Sequence, residues 1–218
     1  IQHLLHLFRD KKMEVIHIRV SELTTDSRDV STKQLVRGLI VPSDSKEAEF
    51  LERVAPIEDE IIFNKSSSGV FPVTNFDRIL RNLNITTLVF TGTSTGGCVE
   101  SAVRDATDLG YDVIVVDDAC ASSTRESHLE AIERMNSGLT HIMTTSALEV
   151  AVNSLPNGSP LQRSGVERVK AYLPKPPQQS SAETPEPYDL IFPPALTVEP
   201  KKEDTALVFI DTQRLTCD

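Results

Sequence analysis

The chain has 218 residues, a formal net charge of −10, 39% hydrophobic and 5% aromatic residues, and no tryptophan. An acidic chain this poor in aromatics argues against nucleic acid or an anionic membrane as partner, and its length suits one large α/β domain or a domain with an extension. Three cysteines without paired spacing (Cys98, Cys120 and Cys217) and five scattered histidines argue against a disulfide framework or a zinc centre.

No apolar run approaches the ~20 residues of a membrane span, and no signal-peptide pattern opens the chain. A reduced, cytoplasmic setting is expected. In chain order, Ile1, Leu4, Leu5 and Phe8 have helical spacing. "MEVIHIRV" (Met13–Val20) reads as a strand. "SELTTDSRDVSTKQLVRG", from Ser21, reads as a surface loop. "EIIFNK" (Glu60–Lys65) is a short apolar strand ending in lysine, and Phe76, Ile79, Leu80 and Leu83 mark a helix. "TTLVFTG" (Thr86–Gly92) is a β-branched run suited to a buried parallel strand. Val99, Ala102, Val103, Ala106 and Leu109 then have helical spacing. "DVIVVDD" (Asp112–Asp118) is another strand, and Ser127 with Glu130 suggests a capping box for the next helix. "THIMTTS" (Thr140–Ser146) is a further strand, followed by helices through Leu148 and Val152 and over "VERVKAYL".

Strands alternating with helices predict a parallel sheet with helices on both faces, a three-layer α/β/α fold. Composition shifts at Pro174, and Pro174–Pro200 holds eight of the thirteen prolines. The expected organisation is a main domain over 1–173, a proline-rich linker or surface arm over 174–204, and a strand at 205–218 that completes the same domain. "TALVFIDTQ" (Thr205–Gln213) is apolar on both faces and ends in Asp211, so it must insert into a sheet rather than stand alone.

Lys65, Asp211 and the Gly92–Cys98 loop each stand at the carboxyl end of an expected buried strand. Ligands of open α/β sheets bind at that edge. A thiol near a helix N-terminus, beside a lysine and a carboxylate, makes a coherent nucleophile. The positive end of the helix and the lysine favour the thiolate. The carboxylate takes the proton and returns it to a leaving amine, and amides around the glycines hold an oxyanion. The plainer alternative makes Cys98 a buried apolar filler at a helix start. "GTSTGGCV" has P-loop glycine spacing but places Cys98 and Val99 where Lys and Ser/Thr are required, which excludes that motif. "CVESAVR" has the Cys-x5-Arg spacing of a cysteine phosphatase loop, but its interior is helical and lacks glycine, so Arg104 belongs on a helix flank.

The stretch "LVFTGTSTGGCVESAVRDATDLGYDVIVVDDACASSTRESHLEAI" resembles the core of the isochorismatase-like cysteine hydrolases, which include nicotinamidases and N-carbamoylsarcosine, ureidoacrylate and biuret amidohydrolases. "IIFNKSSSGVFPVTNFDRILRNLNI" is similar to the family's lysine strand and the helix after it, and "TALVFIDTQ" to its Asp strand. The resemblance implies Cys98 as nucleophile, Asp211 as general base and Lys65 as the third catalytic residue. It further implies a cis peptide between Thr93 and Ser94 and an oxyanion hole from the N–H groups of Ser94 and Cys98. Phe71, Gln213 and Thr93 are expected at the substrate. The implied sheet order is 3-2-1-4-5-6, with Thr205–Ile210 between Met13–Val20 and Thr86–Thr91.

The family order is Asp strand, Lys, Cys, whereas the Asp strand here comes last. The chain therefore reads as circularly permuted, or as segments of a longer chain in unusual order. The metal-binding Asp-x-His of nicotinamidases has no counterpart in "TTDSRDVSTKQ", so neither metal nor cofactor is expected. The implied activity is cleavage of the C–N bond of a small amide, ureide or carbamoyl compound through a thioester, by a homodimer or homotetramer. The alternatives are a non-catalytic binding module and an isochorismatase-type hydrolase without a covalent intermediate.

Overall fold

The structure, a computed structural model, describes residues 1–136, 140–154 and 205–210. Six strands form one sheet: β1 (Glu14–Val20), β2 (Ile61–Lys65), β3 (Thr87–Thr93), β4 (Asp112–Ala121), β5 (His141–Met143) and β6 (Thr205–Ile210). The order is β2-β1-β6-β3-β4-β5, and every pairing is parallel. Counted from β6 as the first strand, this is 3-2-1-4-5-6, the expected order.

The last strand in sequence thus lies at the centre. Ala206 through Ile210 are all fully buried, which is what a run apolar on both faces requires of a parallel strand. Val208 stands opposite Ile16 of β1 and Phe90 of β3. Its neighbour β3 reaches it closely because of Gly92. That residue has φ +120, and a Cβ there would stand 1.6 Å from the Ile210 carbonyl oxygen. Only glycine fits both the conformation and the space.

Helices cover both faces. α3 (Phe76–Asn82), α4 (Glu100–Asp108) and α5 (Arg125–Met135) pack Phe76, Leu80, Ala102, Val103, Ala106, Ala131 and Met135 on one core, with Ile16, Ile18, Phe63 and Val208 of the sheet. α1 (Gln2–Asp10) and α6 (Thr145–Ser154) pack Leu4, Leu5, Phe8, Leu148 and Val152 on the other. Of the predicted stripe, Leu4, Leu5 and Phe8 are fully buried and Ile1 partly so, and each fully buried side chain contributes about 1.5–3 kcal/mol of transfer free energy.

Three expectations change. The polar stretch after β1 is not wholly a surface loop. Ser21 and Glu22 are buried, and Thr32–Arg37 forms a short helix, α2, capped by the Ser31 side chain and closed by Gly38 in the left-handed conformation. The capping box of α5 is built from Thr124 and Ser127, each side chain bonding the other's backbone N–H, not from Ser127 and Glu130. β5 is shorter than Thr140–Ser146, because α6 already begins at Thr145. The helix expected over "VERVKAYL", the 174–204 arm, Asp211, Gln213 and Cys217 lie outside the described residues.

Candidate active site

β3 runs into a π-helical turn, Thr95–Val99, that leads directly into α4. Cys98 is the fourth residue of that turn and is half-buried. The Thr93–Ser94 peptide is cis. The Ser94 carbonyl accepts from the N–H groups of Gly97 (3.0 Å) and Val99 (3.2 Å), so the backbone folds tightly on both sides of the thiol. Two glycines in succession leave no side chain between this turn and its surroundings. Gly97 faces only Ser94.

Lys65 ends β2 with 2% exposure. Its Nζ lies 3.2 Å from Cys98 Sγ and 2.8 Å from the Ser67 carbonyl oxygen. A buried ammonium directed at a sulfur stabilises negative charge developing there. Lys65 and Cys98, 33 positions apart in sequence, therefore meet at the carboxyl edge of the sheet. β6 is described as far as Ile210, which stands opposite Gly92 of β3 and Ile18 of β1. Ile210, the last described residue of β6, thus lies between the strand that carries the Cys98 turn and the strand beside Lys65.

A second set of contacts anchors the turn from outside. The Thr95 hydroxyl, in a fully buried residue, is 2.8 Å from His128 Nδ1. His128 Nε2 is 2.8 Å from Asp117 Oδ1. A carboxylate only accepts, so Nε2 donates to Asp117 and, in the neutral ring, Nδ1 accepts from Thr95. The chain Asp117–His128–Thr95 thus joins β4 and α5 to the first residue of the Cys98 turn. Ser122 adds to it: its hydroxyl accepts from the Gly96 N–H (3.3 Å) and lies 3.2 Å from Ser94 Oγ. His128 therefore holds the turn with only 16% of its side chain exposed.

Phe71 is buried in the aromatic core against Phe76 and Tyr111. Cys98 packs against that same core cluster. Cys120 stands opposite Gly92 on β4. Burial pushes its thiol pKa up to about 12, and its nearest acceptor is the Phe90 carbonyl at 3.9 Å. A depression on the outer side of α4 and α5, lined by Arg104, Asp108, Arg134 and Thr140, is a different place from the Cys98 turn. Both of its arginines are bound to Glu100. Among the described residues, no three His, Cys, Asp or Glu side chains are grouped to hold a metal ion, and no helix is long and apolar enough to cross a membrane.

Residues 1–147 match the family model described as the Isochorismatase domain. The chain belongs to the isochorismatase family. Among curated proteins it is 36% identical over 75 residues to an N-carbamoylsarcosine amidase of Arthrobacter sp, covering 34% of this chain and 28% of that protein. It is also 36% identical over 84 residues to the ureidoacrylate amidohydrolase RutB of Klebsiella pneumoniae, covering 38% and 36%. The matched stretch thus spans about a third of each of these curated relatives. The crystal structure of an isochorismatase-like hydrolase from Alkaliphilus metalliredigens superposes with a TM-score of 0.63 at 29% identity, over 69% of this chain and 81% of that one.

Proposed function

We propose that the protein is a cysteine amidohydrolase that cleaves the C–N bond of a small amide, ureide or carbamoyl compound. The observation that carries this reading is the 3.2 Å approach of the buried Lys65 ammonium to Cys98 Sγ on a tight turn at the carboxyl edge of the sheet. The amidase names of the relatives support it.

In this mechanism Cys98 Sγ attacks the substrate carbonyl carbon. The C–S bond forms as the C=O π electrons move to oxygen. The N–H groups of Ser94 and Cys98 hold that oxyanion. Asp211 takes the thiol proton and passes it to the nitrogen as the C–N bond breaks and ammonia or an amine leaves. Water then attacks the thioester. Asp211 accepts the water proton, and the thiolate is expelled and reprotonated. Lys65 balances the charge on sulfur in both halves.

The test is ammonia release from a panel of small amides and ureides (biuret, ureidoacrylate, carbamoyl amino acids, nicotinamide), comparing the protein with Cys98→Ala. Release that requires Cys98 supports the reading. Equal release by both proteins, or none from any compound together with a Cys98 that alkylates no faster than an unfolded thiol, overturns it.

A further inference from the structure

Glu22 is fully buried, and neither of its carboxylate oxygens has a hydrogen-bond partner. The fold treats its other buried acids differently. Glu60 receives Arg9 through two bonds of 2.8 and 2.9 Å, His17 at 2.8 Å and the Ile57 N–H at 2.9 Å. Glu100 receives Arg104 and Arg134. An orphaned buried carboxylate is costly and calls for an explanation.

Its position supplies one. β1 ends at Val20, opposite Lys65 on β2. The Ser21 N–H donates to the Lys65 carbonyl (3.0 Å), extending the ladder one rung, and the Glu22 N–H donates to Val41 (3.0 Å). Ile16 and Ile18 face the core cluster against which Cys98 packs. The backbone runs one rung past β1, so Glu22 stands just beyond the carboxyl end of that strand, beside the end of β2 that carries Lys65. Lys65 is already engaged by Cys98 and the Ser67 carbonyl, so it does not neutralise Glu22.

We propose that Glu22 receives the N–H donors of the substrate's non-reacting end, so that the site selects an amide or ureide with an ammonium or N–H-rich pole over one with a carboxylate pole. The proposal rests on Cys98 being the nucleophile. Two donors on the ligand would satisfy the two orphaned oxygens together, while an anionic pole would meet like charge in a desolvated place.

Three primary amides of similar length test it: β-alaninamide with an ammonium, butyramide with a neutral end and succinamate with a carboxylate. The expected kcat/KM ratio of ammonium to carboxylate amide is on the order of tenfold or more, and Glu22→Gln should collapse it toward one. The same substitution should raise the melting temperature, because it removes a buried acid group that lacks partners and keeps the shape. A carboxylate held for structure would instead lose stability on this change, and that loss would overturn the proposal, as would an unchanged ratio.

A second readout does not depend on turnover. The alkylation rate of Cys98 by cationic 2-bromoethylamine relative to neutral iodoacetamide should fall by on the order of tenfold in Glu22→Gln. If no amide is hydrolysed but this ratio falls, the amidohydrolase reading fails and the Glu22 pole stands. If amides are hydrolysed and neither ratio moves, only the Glu22 proposal fails.

Discussion

Two cysteines stand near the carboxyl ends of neighbouring strands, one on the turn beyond β3 and one still paired within the ladder, and their surroundings are opposite. Cys98 lies on a turn between a strand and a helix, with a buried ammonium 3.2 Å from its sulfur. Cys120 lies within β4, opposite Gly92, with a backbone carbonyl at 3.9 Å as its nearest acceptor and burial holding its thiol pKa near 12. One sulfur meets a cation, and the other packs against the apolar core and approaches a backbone carbonyl. The difference comes from position along the strand. The carboxyl edge offers turn amides and strand-end side chains, whereas a residue paired inside the ladder meets only its neighbours.

The largest expected effect separates the two thiols. Cys98→Ala should lower kcat by on the order of 10⁴-fold or more, whereas Cys120→Ala should leave it within about threefold. Comparable losses from both would erase the distinction. Lys65→Ala should cost on the order of 10²–10³ in kcat if the ammonium balances charge on Cys98 sulfur, measured with folding checked by circular dichroism.

Gly92 sharpens the comparison from the backbone side. A methyl group there collides with the Ile210 carbonyl, so Gly92→Ala should destabilise the protein by about 3 kcal/mol or more and disturb the Cys98 turn. Denaturant unfolding measures it, and a near-neutral result would contradict the close packing of β3 on β6.

The anchor behind the turn has a smaller effect. His128→Ala leaves the buried Thr95 hydroxyl without its partner, at a cost of about 1–3 kcal/mol. It should reduce kcat by on the order of 10–100-fold through misplacement of Cys98, with KM changed little. A stability loss with unchanged kcat would make His128 merely structural.

Much of this was legible because strands announce themselves by composition. Thr205–Ile210 is apolar at every position but its first, so its place inside the sheet followed, and with it the convergence of the Lys65 and Cys98 strand ends. Three features were not legible. His128 sits in a helix whose sequence pattern does not single it out, and its role exists only because Asp117 and Thr95 arrive from elsewhere in the chain. Glu22 lay at the head of a polar run that reads as solvated, and its burial is a tertiary fact. Thr124 and Ser127 compete with Ser127 and Glu130 for the same cap, and local pattern alone does not choose between them.

The smallest effect concerns acid stability. The Arg134 hydrogen bond, against burial that would raise it and with Arg104 adding, holds the Glu100 carboxyl below the usual carboxylate range. A lowered folded-state pKa contributes stability above the unfolded value and loses it as pH falls through the folded one. The contribution is therefore lost progressively as pH falls from the unfolded carboxyl value, about 4.3, through the lower folded one. Glu100→Gln should flatten the acid limb of a stability–pH curve. An unchanged limb would show that the two half-exposed arginines add nothing measurable.

The most direct test of the central claim is mass spectrometry of the protein quenched during turnover of a slowly hydrolysed amide. The expected result is an added mass equal to the substrate's acyl group on the peptide bearing Cys98, absent in Cys98→Ala and absent from Cys120. Steady hydrolysis with no such adduct under conditions that preserve thioesters, or an adduct on Cys120 instead, would contradict it.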